Sequence, residues 1–180
     1  MTTVLGAAEV SSGVDAGLLV LRVAIGTVMV AHGYNHIFRG GKIKGTAGWF
    51  ESLGMKPGIL HAWLASITEL GAGLMLILGV LTPLAAAGVV GTMLVALITN
   101  HIRNGYFIFR PGEGYEYVLT LILVAVAIGA VGAGAWSIDG AAGIGEDLIG
   151  WRGLAIAAGL GGGGGLALLA VFYRPPAKQG

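Results

Sequence analysis

Long apolar runs, interrupted by short polar connections, organise this chain. They extend from Leu18 to Ile37, Leu60 to Leu81, Pro83 to Ile102, Tyr115 to Trp136 and Gly153 to Tyr173. Each provides the roughly 20 residues that a helix needs to cross a bilayer. The pattern predicts an all-α polytopic membrane helix bundle in one domain, 1–180, with a four-helix core and a fifth, glycine-rich carboxyl-terminal transmembrane helix. Only Thr82-Pro83 separates the second run from the third, which predicts a tight antiparallel hairpin with Pro83 opening the third helix. Between Phe38 and Ile59, Trp49, Phe50, Leu53 and Met55 stand beside Lys42, Lys44 and Lys56. That mixture suits the headgroup layer and predicts a short interfacial helix near residues 46–56. Tyr106, Phe107 and Phe109, between Arg103 and Arg110, belong to the same layer.

The fifth run contains Gly161 to Gly165 in succession. In water such a stretch is a linker. Flanked by Leu154-Ala155-Ile156-Ala157 and Leu166-Ala167-Leu168-Leu169, it reads as a membrane helix whose small residues allow a neighbour to approach closely. Because each glycine costs a helix roughly 1 kcal/mol relative to alanine, a broken or kinked helix is the competing reading.

Composition narrows the class further. Apolar residues make up 56% of the chain and 34 of its 180 residues are glycine, which excludes a free globular protein. Ten basic against nine acidic residues, with only 11% charged, give no electrostatic footprint for nucleic acid. The absence of cysteine removes disulfides, thiolate metal sites and thiol relays. The first 17 residues carry Glu9 and Asp15 but no Lys or Arg, so they lack the basic region of a cleaved signal peptide and the first span reads as a retained anchor. With five spans, Arg39, Lys42, Lys44, Lys56, Arg103, Arg110, Arg174 and Lys178 share one side, while Glu9, Asp15, Asp139, Glu146 and Asp147 share the other. The positive-inside rule then predicts an outside amino terminus and a cytoplasmic carboxyl terminus.

Ionisable groups inside membrane helices cost about 2.5–3.5 kcal/mol each on insertion scales, so their positions are informative. Arg22, His32, His36, Glu69, His101 and Glu116 are the ones singled out here. His32 and His36 end the first helix, Asn100 and His101 end the third, and Tyr115 and Glu116 begin the fourth, all toward the basic surface. Glu69 lies roughly 13 Å below that surface and Arg22 roughly 21 Å, at 1.5 Å per residue. That separation is within reach of two long side chains and predicts an Arg22–Glu69 ion pair. The alternative sends Arg22 outward to Asp15 or Asp139 and leaves Glu69 protonated against a neighbour. His32 and His36 share a helix face at i, i+4, with His101 opposite, but no accompanying carboxylate motif completes a metal centre. A bis-histidine haem is the specific form of that weaker reading, and no metal is assigned.

Several of these residues together resemble one family. Arg22-(x3)-Gly26, His32-Gly33-Tyr34-Asn35-His36-Ile37-Phe38, Glu69-(x3)-Gly73-(x5)-Gly79, His101-(x2)-Asn104-Gly105-Tyr106-Phe107, Gly114-Tyr115-Glu116-Tyr117 and Trp136-Ser137-Ile138-Asp139 are similar in order and spacing to the DoxX family of small bacterial membrane proteins. The resemblance covers about Leu18 to Gly140. His36 stands where the family pattern usually has lysine, and the fifth helix with Glu146-Asp147 lies outside the pattern. The resemblance implies a multi-pass protein of the bacterial plasma membrane beside redox chemistry. Some members are described as the membrane subunit of a thiosulfate:quinone oxidoreductase, others as membrane partners of a superoxide dismutase and a sulfurtransferase in oxidative stress.

Three readings follow. The first is a non-catalytic accessory or anchoring subunit of a redox-related complex, docking a protein partner through Arg39, Lys42, Lys44, Trp49, Phe50, Arg103 and Arg110. The second is a quinone-binding subunit of an oxidoreductase, with quinone its one prospective cofactor, at a polar cluster of Arg22, His32, His36, Glu69, Asn100, His101, Tyr115 and Glu116. The third is a small transporter or lipid-binding module. Glycine-rich faces also leave a homo-oligomer open, and the lipid bilayer is a partner in every case.

Overall fold

A computed structural model describes the backbone of residues 2–144 and 146–176, with the side chains of residues 11–144 and 147–176. The side chains of Glu9, Glu146 and Lys178, which enter the charge argument above, lie outside the described residues. The first helix, α1 (Thr2–Phe38), is followed by α2 (Lys42–Ser52), α3 (Gly58–Leu78) and α4 (Thr82–Ala96). The last of these continues through a π-helical turn, Leu97–His101, and a 3-10 turn, Ile102–Asn104. After a loop come α5 (Glu116–Val131) and the short α6 (Ile138–Ala142). Finally α7 (Trp151–Leu154) runs through a π-helical stretch, Ala155–Leu160, into α8 (Gly161–Phe172). Among the described residues four helical stretches are long and apolar enough to cross a membrane: Ser11–Phe38, Gly58–Leu78, Thr82–Asn104 and Trp151–Phe172.

The first helix begins earlier than the expected Leu18, at Thr2, with its membrane-length stretch starting at Ser11, and two further boundaries differ from the sequence expectation for local reasons. The helix expected from Tyr115 to Trp136 stops at Val131, because Gly132 and Gly134 take left-handed φ of 90° and 76°. Such backbone is open to glycine and ends a right-handed helix. Its 16 residues span about 24 Å, short of the roughly 30 Å hydrocarbon core. The short helix expected at 46–56 occupies Lys42–Ser52, since Gly54, with φ 92°, turns the chain back toward α3. The hairpin at Thr82-Pro83 has Gly79 (φ 67°) capping α3, Leu81 at φ 45° and Pro83 in the first turn of α4.

Glycine sets the helix contacts. An ideal Cβ on Gly26 would lie 2.6 Å from the Gly73 carbonyl oxygen, and one on Gly33 2.9 Å from that of Ser66. Thus α1 and α3 pack antiparallel, backbone against backbone. A Cβ on Gly161 would sit 2.5 Å from the Ala87 oxygen and one on Gly165 3.0 Å from the Gly91 oxygen, so α8 runs parallel to α4. The five-glycine segment is therefore helical, with Gly161 and Gly165 one turn apart on its packed face. Helix α5 crosses α7 at Gly129 and Gly153. Met29, Leu76, Val89, Leu121 and Ile128 fill the space among α1, α3, α4 and α5. Phe50, Met55, Ala62 and Leu169 seat α2 on α3 and α8.

This arrangement gives the bundle two unlike ends. Arg174 N donates to Gly54 O (2.8 Å), so the carboxyl end of α8 meets the α2–α3 turn, and the carboxyl end of α4 lies at that end as well. At the opposite end Asp15, the α3–α4 hairpin and the 132–139 segment come together.

Candidate functional site

The end at the α3–α4 hairpin is closed by a charge network. The last carbonyls of a helix have no partner within it. Arg22, fully buried, supplies donors for them: Nη1 donates to Leu76 O (3.1 Å) and Ile77 O (3.3 Å), and Nη2 to Trp136 O (2.6 Å). A cation at the carboxyl end of α3 also opposes that helix dipole. Asp139 performs the reciprocal task at the amino end of α4. Its Oδ1 accepts from Leu81 N (2.8 Å), and its Oδ2 from Thr82 N and Thr82 Oγ1 (both 2.9 Å). Its charge also acts on the Arg22 guanidinium. Asp15 Oδ1 accepts from Ala135 N (2.8 Å), tying α1 to the same cap.

The expected Arg22–Glu69 pair is thus absent. Arg22 reaches Leu76 and Ile77, about two turns beyond Glu69 on α3, because unsatisfied carbonyls stand nearer to it than the carboxylate does. Arg22 consequently leaves the polar cluster to which the sequence assigned it.

The other end contains a cavity of about 590 Å³ bounded by α1, α2, α3, α4, α5 and α8. His32, His36, His61, Glu69, Asn100 and His101 are among its polar groups, with Thr68, Thr92, Thr99, Glu113 and Tyr117, and leucine, valine, alanine, glycine and ring carbons make up most of the wall. Glu69 is 3% exposed and faces His36 of α1, whose Nδ1 stands 3.1 Å from Glu69 Oε2. The two are in contact, yet neither atom is aligned for a hydrogen bond, and both are buried without one. His61, 2% exposed, likewise leaves Nε2 without a partner. Buried polar atoms are ordinarily bonded; here His36 Nδ1 and Glu69 Oε2 have only each other, His61 Nε2 has no bond, and all three residues line the chamber.

The imidazole of His36 is flanked by Trp49 and Phe50, with ring centroids 6.4 and 6.3 Å away. Thr46 Oγ1 donates to His36 O (2.9 Å), which fixes α2 over the cavity. A smaller cavity of about 310 Å³ beside Arg39 shares His36 and Trp49 with the larger one.

His101 differs from His36. Its Nδ1 lies 3.0 Å from Glu113 O, and a carbonyl only accepts, so Nδ1 carries the proton and Nε2 accepts from Asn100 Nδ2 (3.2 Å). Both ring nitrogens are used. Asn104 Nδ2 donates to the Asn100, Gly112 and Glu113 carbonyls, so the polar end of α4 mainly holds the following loop. Among the described residues no three His, Cys, Asp or Glu side chains converge on a metal position.

The structure therefore joins His32, His36, Glu69, Asn100 and His101 on one cavity. Tyr115 and Glu116 stay outside it. Tyr115 packs against Tyr106 with ring centroids 5.4 Å apart, and Glu116 Oε1 accepts from Ile108 N (3.1 Å), so both order the loop. The sequence reading missed His61, although it stands eight residues before Glu69 and hence on the same helical face. Of the residues expected to dock a partner, Arg39, Lys42, Lys44, Trp49, Arg103 and Arg110 are exposed at this end. Phe50 is 7% exposed and walls the cavity, because the packing of α2 on α3 turns it inward.

Residues 17–102 match the family model described as DoxX. No curated protein and no solved structure matches the chain. With that match and four membrane-length apolar helices, this is an integral, multi-pass membrane protein.

Proposed function

With residues 17–102 belonging to the DoxX family, we propose that the chain is the quinone-binding membrane subunit of a redox complex. One observation carries the reading: an apolar-walled cavity of about 590 Å³ at membrane depth is lined by the buried His36–Glu69 contact and by His61, whose Nε2 has no bond. Small-molecule sites combine such walls with a few convergent polar groups, and their volumes run from about 300 to 1,000 Å³. Bound there, a quinone supplies a two-electron, two-proton acceptor, and the electrons come from a partner protein.

The residues of this chain provide binding and protons. Glu69 and His36, whose Oε2 and Nδ1 stand 3.1 Å apart, would hold the ring end of the ligand and exchange a proton with it. His36 also borders the smaller cavity by Arg39, which gives that proton a way to the surface. His61 offers a second polar contact nearer α2. The aromatic lid of Trp49 and Phe50 excludes water.

The accessory-subunit reading retains one specific support, the exposed Arg39, Lys42, Lys44, Arg103 and Arg110 around the same end. They form the docking rim for the partner in this proposal, and the positive-inside rule places that rim at the cytoplasm. The test is gentle purification from the native membrane followed by solvent extraction and mass spectrometry. Quinone should accompany the wild-type chain near one per protein and fall in Glu69→Ala and His36→Ala. A wild-type protein that carries no quinone and binds none when it is added would leave the accessory reading in its place.

A further inference from the structure

The cavity is not closed by the DoxX segment alone. Its wall on the α3–α4 side is completed by α8, beyond the matched residues 17–102. Gly161 and Gly165 are spent on contact with α4, where a Cβ would meet backbone oxygen at 2.5 and 3.0 Å. Gly164 differs: it lines the cavity, is exposed, and a Cβ built on it meets nothing within 4 Å. Around it Leu64 of α3, Leu84 of α4 and Leu160 before α8 line the same cavity while remaining 41%, 47% and 57% exposed. A chamber whose lining residues are exposed within membrane-length helices opens sideways to lipid. Glu69 and His61, nine-tenths or more buried with unpartnered atoms, supply the polar end.

We propose that this side opening between α3, α4 and α8 is the exit for the polyisoprenoid chain of the bound quinone, and that Gly164 is the residue that keeps it passable. The inference rests on the quinone reading of the cavity and adds the class of ligand that the fifth helix admits, one with a polar ring and a long apolar chain. A chain of several isoprene units outruns the cavity and must leave it. Headgroup-level exits would place that chain among Arg39, Lys42 and Lys44, whereas the Leu64–Leu84–Leu160 edge leads into hydrocarbon. The missing side chain at 164 is the space the chain needs.

The experiment uses the full chain in lipid nanodiscs and compares two probes, a quinone with a single isoprene unit and one with a long polyisoprenoid chain. Gly164→Leu and Leu84→Trp block the opening from two different helices. Gly163→Leu is the control, since residue 163 is exposed, has open space about its Cβ and is absent from the cavity wall, and it shares the helix-propensity change. Expected is a loss of long-chain binding of about tenfold or more in the blocked variants, with short-chain binding and the melting temperature close to wild type, and no change in Gly163→Leu. If Gly164→Leu and Leu84→Trp, folded as judged by melting, bind the long-chain probe like wild type, the exit lies elsewhere while the ring site stands. If wild type binds neither probe, the quinone reading itself is overturned.

Discussion

The two ends of the bundle contain the same kinds of side chain and treat them in opposite ways. At the hairpin end Arg22 and Asp139 are buried and bonded to three carbonyls and to three donors respectively, with only Arg22 Nε left over. At the cavity end Glu69 and His36 touch at 3.1 Å but leave their facing atoms without hydrogen bonds. Both arrangements put ionisable groups where lipid makes them costly. The first recovers that cost through its bonds and is structural. The second leaves polar capacity facing a chamber, where a ligand is needed to complete it.

That contrast is most exposed to test at Arg22. Arg22→Ala should destabilise the protein by about 3–5 kcal/mol, since it strips the buried carbonyls of donors and leaves Asp139 without its cation. The thermal midpoint of the monodisperse peak in size-exclusion chromatography reports it, and a midpoint equal to wild type would break the comparison. Asp139→Asn follows with a loss of about 1–3 kcal/mol. It keeps the shape but replaces an acceptor-only group that serves three donors.

Glu69→Gln is the same chemical change at the opposite end and sharpens the contrast. Its midpoint should move by no more than about 1 kcal/mol equivalent, because a single contact with His36 is altered there, one the amide can still make, against three hydrogen bonds at Asp139, while quinone content should fall severalfold. Equal destabilisation by Asp139→Asn and Glu69→Gln would make both ends structural. A small effect is also expected for His61→Phe, which removes an unpartnered Nε2 together with the ring's bond to the Lys56 backbone, beside Phe50 and Phe172. Those rings lie 6.4 and 5.0 Å from the imidazole, and the midpoint should stay within about 1 kcal/mol equivalent of wild type, the lost bond offsetting the removal of an unsatisfied nitrogen. A drop well beyond that would make His61 a structural residue like Asp139.

Apolar run length made the membrane helices legible, since lipid requires each crossing to satisfy its own backbone. Thr82-Pro83 announced the hairpin, and the Trp49-Phe50 region announced the interfacial helix. The ends of α5 and α2 were misjudged because Gly132, Gly134 and Gly54 act through φ, which hydropathy does not register. Depth arithmetic placed Arg22 within reach of Glu69 but carried no information on competing acceptors. The carbonyls at Leu76, Ile77 and Trp136 become acceptors in reach only once α3 has ended at Gly79 and the 132–137 segment has folded over it. His61 was overlooked at the very start of its span, where the i, i+8 relation to Glu69 was the available signal.

From sequence alone came the membrane setting, the helical class and the gathering of His32, His36, Glu69, Asn100 and His101 toward one end, because composition and helical rise act along a single chain. Which of those groups would be bonded and which left open was decided by tertiary structure. Partnership depends on the approach of separate helices, and here that approach is set by glycine contacts: Gly26 on Gly73, and Gly161 and Gly165 on α4. The same contacts bring helices close enough to seal one end, and with α8 they wall a chamber at the other.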